Sequence, residues 1–162
     1  MVNLTTAYTA PINPSNANPV LSRATVFAGL RKKVRRAQDF VPVIISCEVV
    51  KVEDNVVTRE IVFKKGEGPP GTVKEVCVEF DPTKVDFQQS DGTTISNIIS
   101  DGPSGDPNDL YLSYSFEWKH PNVEAGSAEA EELQAKHKKT AKMAVDSTIE
   151  TVRRMAKEGV DS

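Results

Sequence analysis

Hydrophobic positions recur along this chain with two different periods, and the change of period divides it. From Val43 to Trp118 apolar and polar residues alternate in six runs, approximately 44–52, 56–63, 73–80, 84–89, 93–100 and 111–118, which predicts six strands. Turn segments separate them: Glu53-Asp54-Asn55, the stretch from Gly66 to Gly71 with Pro69 and Pro70, Asp81-Pro82-Thr83, Ser90-Asp91-Gly92, and Asp101 to Asp109. Links this short favour antiparallel neighbours, so the runs form a meander. Upstream, Leu4 to Ala10 predicts one more strand, and Pro11, Pro14 and Pro19 forbid regular structure after it. Ser22 then caps a helix through about Val34, with Val26, Phe27, Leu30 and Val34 on its apolar face, and Pro42 closes this helical region.

From Ser127 to about Lys157 the period is helical throughout, without Pro or Gly. Glu129, Glu131 and Glu132 follow the cap, and Arg153, Arg154 and Lys157 crowd the other end, complementing the helix dipole. At 1.5 Å per residue such a helix is ~45 Å long. Its less polar stripe, Leu133, His137, Ala141, Val145, Thr148, Val152 and Met155, is poor in large apolar side chains. That is expected of a lid over a space something else fills, rather than of a plug in a closed core.

Alternation also assigns faces. Leu112, Tyr114, Phe116 and Trp118 form the inner set of the last strand. Lys74, Val76, Val78 and Phe80 are the expected inner set of 73–80, with Val73, Glu75, Cys77 and Glu79 outward. Ile45, Cys47 and Val49 are expected inside, as are Val57, Arg59, Ile61 and Phe63, and then Ile95, Asn97 and Ile99.

Length and composition narrow the class. The 162 residues, 38% hydrophobic, fit a single α+β domain over 1–162. A net charge of -3 with interspersed signs argues against a nucleic-acid surface, and no apolar run reaches membrane-spanning length. Two cysteines, Cys47 and Cys77, and a start without a basic or apolar leader point to a cytoplasmic protein with reduced thiols. The expected partner is thus an apolar or aromatic small molecule, with no nucleic acid and no membrane; nothing in the pattern specifies an oligomeric state.

Several residues carry candidate chemistry. Arg59 on an inner face must be paired, either with an anionic group of a cavity ligand or, the preferred reading, with Glu48 or Glu60 at the sheet rim. His137 on the helix stripe is a candidate acid or base, although a half-wet position at the helix edge suits it better; Tyr114 is a further candidate proton donor. His120 is expected to help end the last strand. Candidate ligand contacts are Cys47, Arg59, Ile61, Val78, Asn97, Tyr114, Phe116, Trp118, Ala141 and Val145. Five basic residues in the six from Arg31 to Arg36 are read as a solvated helix end in preference to a docking patch. With only two histidines and no glycine-rich phosphate loop, neither a metal nor a cofactor is expected.

Ile12-Asn13-Pro14, Asp39-Phe40-Val41-Pro42, Thr58-Arg59-Glu60 and above all Tyr114-Ser115-Phe116-Glu117-Trp118-Lys119-His120-Pro121 resemble motifs of the fungal AtaL-like family. The order of elements is similar to that of the SRPBCC superfamily, which includes START-like and pollen-allergen-like proteins. The resemblance implies a helix-grip fold: a seven-stranded curved antiparallel sheet wrapped around a long C-terminal helix, with two short helices after the first strand and a deep cavity beneath the long helix. It further implies a place in fungal secondary metabolism. Three functions are then expected in turn: hydrophobic ligand binding by an accessory protein; a cyclase, isomerase or dehydratase acting on a carbonyl compound through Arg59 with His137 or Tyr114; or an interaction protein with a filled core.

Overall fold

A computed structural model of the chain describes residues 1–159. The strands are β1 (Val2–Pro11), β2 (Ile44–Glu53), β3 (Val56–Phe63), β4 (Thr72–Phe80), β5 (Lys84–Gln89), β6 (Thr94–Asp101) and β7 (Leu110–His120). They form one antiparallel sheet in the order β1-β7-β6-β5-β4-β3-β2. Helix α1 (Arg23–Arg35) and a single 3-10 turn (Ala37–Asp39) lie between β1 and β2, and α2 (Ala128–Lys157) follows β7. This is the helix-grip arrangement, with α2 uninterrupted and packed chiefly on β1, β7 and α1.

The helix termini follow their sequence signals. Ser127 Oγ accepts from the Ala130 amide, and Ser22 Oγ from that of Thr25, each meeting one of the free N–H groups of a first turn. Along α2 the buried residues are Ala130, Ala141, Ala144, Val145, Thr148, Thr151, Val152 and Met155. Small residues let α1 approach closely: a Cβ on Gly29 would stand 2.6 Å from Val152 Cγ2. Gly29→Ala is therefore expected to lower stability by ~1–3 kcal/mol through crowding, a loss that the better helix propensity of alanine offsets only in part, and urea unfolding measures the balance.

Two face assignments are corrected by the structure. On β4 the buried set is Val73, Glu75, Cys77 and Glu79, while Val76 and Val78 are half-buried and Phe80 is exposed. Alternation read by hydrophobicity alone fails here because the interior itself is ionic: Glu75 lies directly across from Arg59 in the β3–β4 register, and Glu79 takes Arg31 and Arg35 from α1. On β2, Ile45 is 56% exposed, because the register with β3 slips between Ile44 and Ser46 and turns it outward. Cys47 and Val49 beyond the slip are half-buried.

The basic run is likewise not a free solvated end. Arg31 and Arg35 reach the buried Glu79, Arg36 pairs with Asp39 at 2.7 Å, and Lys33 is itself buried. The Glu79 pairs and the bond from Lys33 to Asn97 dock the C-terminal half of α1 on the sheet.

Candidate functional site

Between the inner face of the sheet and α2 lies a cavity of about 410 Å³, a size usual for small-molecule sites. Its inner end is formed by buried side chains, Lys33, Arg59, Ile61, Glu75, Phe87 and Tyr114. Its mouth is bordered by exposed Glu67, Pro69, Asp91, Lys119 and Lys136. The β3–β4 loop is tied to α2 across that mouth by Lys136 Nζ, which donates to the Gly66 carbonyl at 3.2 Å. On α2 the lining residues are Leu133, Lys136, His137, Thr140 and Ala144, one row at three- and four-residue spacing.

Arg59, only 3% exposed, is the structural centre of the inner end. Its Nε donates to Glu75 Oε1 at 2.8 Å, and Nη1 donates to the carbonyls of Lys33 and Val34 at 3.0 and 2.8 Å. Those carbonyls belong to the last turn of α1, whose acceptors lack helical partners, so the guanidinium caps that helix end from the sheet. Glu75 is 2% exposed, and its other oxygen accepts from Gln89 Nε2 at 3.0 Å. The partner of Arg59 is therefore Glu75 in the interior, and neither Glu48 nor Glu60 at the rim. Its position is over-determined by protein groups, which leaves little of its donor capacity for a ligand.

Lys33 differs. Its Nζ donates to Asn97 Oδ1 at 2.7 Å and lies 4.8 and 4.6 Å from the ring centres of Phe87 and Tyr114. Burial foremost, and then the Arg59 guanidinium, bring its pKa down to about 7 against the attraction of Glu75. The amine is thus divided between its charged and neutral forms near neutrality. Tyr114 donates its hydroxyl proton to Thr148 Oγ1 at 2.7 Å, and burial pushes its pKa up, so the ring lines the cavity while the hydroxyl is occupied. Burial also raises the Cys77 thiol to about 12, which makes it an inert core group.

Toward the mouth the rings form a column. Phe116 and Trp118 are parallel at 4.6 Å, and Trp118 and His137 at 3.7 Å. Two rings cannot lie that close side by side on one face, so both faces of the indole are covered and a ligand would meet its edge. His137 Nε2 stands 2.9 Å from His120 Nε2, one nitrogen donating and the other accepting. Burial first, then His120 and Lys136, lower the His137 pKa to about 4. The folded protein thus resists a proton that the unfolded chain takes up near pH 6.5. Stability linked to His137 is present above that value and is lost as pH falls through about 4. His137→Phe, which keeps a ring on Trp118, is expected to flatten the fall in Tm between about pH 6.5 and 4, measured beside the wild type.

Of the residues expected at the site, Arg59, Ile61, Tyr114, Phe116, Trp118 and His137 line the cavity. Val78 does not, because β4 turns its even positions outward. Cys47 packs over α1, with its thiol 3.6 Å from the Val34 carbonyl. Asn97 is buried behind Lys33, and Ala141 and Val145 sit one helical step away from the lining row, inside the core. Lining residues not expected at the site include Lys33, Glu75 and His120. Period alone marks two of them, since Lys33 shares the α1 face of Val26 and Leu30, and His120 extends the even-numbered inner set of β7. Among the described residues no group of three or more His, Cys, Asp or Glu is placed to hold a metal ion, and no helix is long and apolar enough to cross a membrane.

Comparison with known proteins sets these features in a family. The chain is 28% identical over 155 residues to the acetylaranotin biosynthesis cluster protein L of Aspergillus terreus (strain NIH 2624 / FGSC A1156), an alignment covering 94% of this chain and 90% of that protein. Among solved structures, the ZhuI aromatase/cyclase from Streptomyces sp. R1128 superposes with a TM-score of 0.69 at 13% identity, covering 99% of this chain and 100% of the other. The di-domain ARO/CYC StfQ from the steffimycin biosynthetic pathway gives 0.67 at 11% identity and 96% coverage of this chain, which spans only 52% of the length of StfQ. At such identities the likeness to both establishes the fold. The family model described as acetylaranotin biosynthesis cluster protein L matches residues 6–159, and the chain belongs to the AtaL family.

Proposed function

We propose that the protein binds a planar, largely apolar, carbonyl-bearing intermediate of fungal secondary-metabolite biosynthesis in the cavity between the sheet and α2. The observation that carries this reading is the polarity of the cavity along its depth: walls of Ile61, Phe63, Phe87, Ile95, Phe116 and Trp118 lead inward to the buried Lys33 amine. Apolar walls with a few fixed polar groups orient a ligand by one end, and here that end is a hydrogen-bond acceptor such as a ketone or enolate oxygen. The name of the Aspergillus terreus relative supports the biosynthetic setting. In this reading Ile61, Phe116 and Trp118 are wall contacts and Arg59 is the scaffold that holds Glu75 and α1.

A second reading, a cyclase, isomerase or dehydratase acting on the same ligand, is favoured by the Lys33 pKa of about 7, which suits proton exchange with a carbonyl compound at neutral pH. The chain has a single tryptophan, Trp118, at the cavity wall. Titration with 2-acetylnaphthalene is expected to quench its emission saturably, whereas saturable binding seen by calorimetry without a Trp118 response would put the ligand elsewhere.

A further inference from the structure

We propose that the Lys33 amine is a nucleophile that captures an aldehyde or ketone group of the cavity ligand as an imine, an inference that rests on the binding reading above. Every other ion at the inner end has its charge matched: Arg59 holds Glu75 and two α1 carbonyls, and Glu75 holds Arg59 and Gln89. Lys33 has only a neutral amide oxygen, that of Asn97, and no ion pair with a carboxylate among the described residues. The two rings that flank its nitrogen, Phe87 and Tyr114, are both cavity walls, so the amine stands where a ligand carbonyl would end. Desolvation and a neighbouring fixed cation are the two means by which a lysine is kept neutral and nucleophilic, and Lys33 has both, the cation being Arg59.

The step balances without an added reagent. The nitrogen lone pair attacks the carbonyl carbon, the C=O π pair moves to oxygen, and a proton passes from nitrogen to that oxygen to give a carbinolamine. The nitrogen lone pair then forms the C=N bond as the oxygen leaves, taking the second amine hydrogen away as water. A protonated imine draws electrons from the adjacent carbon more strongly than the parent ketone does, so it gives the site an electron sink built from the chain itself. The groups facing the amine are Arg59 of β3, Glu75 and Cys77 of β4, Asn97 of β6 and Tyr114 of β7. Capture should accelerate as pH rises through about 7.

The test uses the full chain with 2-naphthaldehyde below one equivalent, sodium cyanoborohydride to reduce any imine to a stable amine, and peptide mapping by mass spectrometry. The expected result is one naphthylmethyl group, placed on Lys33 at least ~tenfold faster than on exposed lysines such as Lys138 and Lys139. Lys33→Met should remove it, and so should Ala144→Phe, which narrows the cavity with Lys33 in place. Label spread over exposed lysines, while Trp118 emission shows the aldehyde bound, would overturn the imine and leave the binding reading intact. An aldehyde that neither binds nor labels Lys33 would overturn both.

Discussion

Glu75→Ala is expected to lower the stability of the protein by ~3–5 kcal/mol, because it strips the buried Arg59 of its carboxylate partner and leaves a cation in the interior. The loss has a second component. The Arg59 guanidinium that bonds Glu75 also caps the last turn of α1 through the Lys33 and Val34 carbonyls, so a displaced Arg59 frees that helix end as well. Arg59→Met loses that cap outright, but its charge penalty should be smaller, since the abandoned carboxylate can take up a proton and keeps its bond from Gln89. Urea unfolding of the two variants measures the difference. Equal losses of under ~1 kcal/mol would mean that the pair behaves as a surface salt bridge, against its burial.

Ala144→Phe is expected to weaken binding of a planar aryl ketone at least tenfold, about 1.4 kcal/mol, while the fold remains. Ala144 is on the lining row of α2 and is buried where the core borders the cavity, so a ring there takes up cavity space. Crowding against the walls costs ~1–3 kcal/mol of stability. Calorimetric titration beside circular dichroism reads both effects. Full affinity in a folded variant would place the ligand outside the cavity.

Much of the fold is legible in the sequence because its signals are local. The caps at Ser22 and Ser127, the turn residues between strands and the change of period between Trp118 and Ser127 each act within a few residues. Face assignment on β4 is not local. Whether Glu75 points in or out depends on Arg59, sixteen positions away in sequence and directly opposite in the sheet, and an alternation rule that equates interior with apolar chooses the other face. Ile45 fails for a related reason, since a register slip cannot be read from hydrophobicity.

The site was legible in outline and not in detail. The weak stripe of α2 marks a helix above a space, but the rotation of the helix decides which of its rows faces that space: Leu133, His137, Thr140 and Ala144 do, and Ala141 and Val145 do not. Lys33 was hidden by its neighbours. Within a run of five basic residues it looks like one more solvated charge, and only its place on the face of Val26 and Leu30 separates it from Arg31 and Arg35. His120 and His137 are seventeen residues apart and meet only because α2 folds back over β7.

Chemical-shift mapping decides whether the ligand is held inside, between the sheet and α2. Amide and methyl spectra recorded during titration with 2-acetylnaphthalene are predicted to change at Ile61, Ile95, Thr140 and Ala144, and at the Trp118 indole, with the outward-turned Val76 and Val78 unmoved. A shallower depression on the sheet, lined by Thr5, Ala7, Ser96 and Ser115, provides the contrary case. Shifts gathered there, with Ile61 and Ala144 unchanged at saturation, would contradict the account.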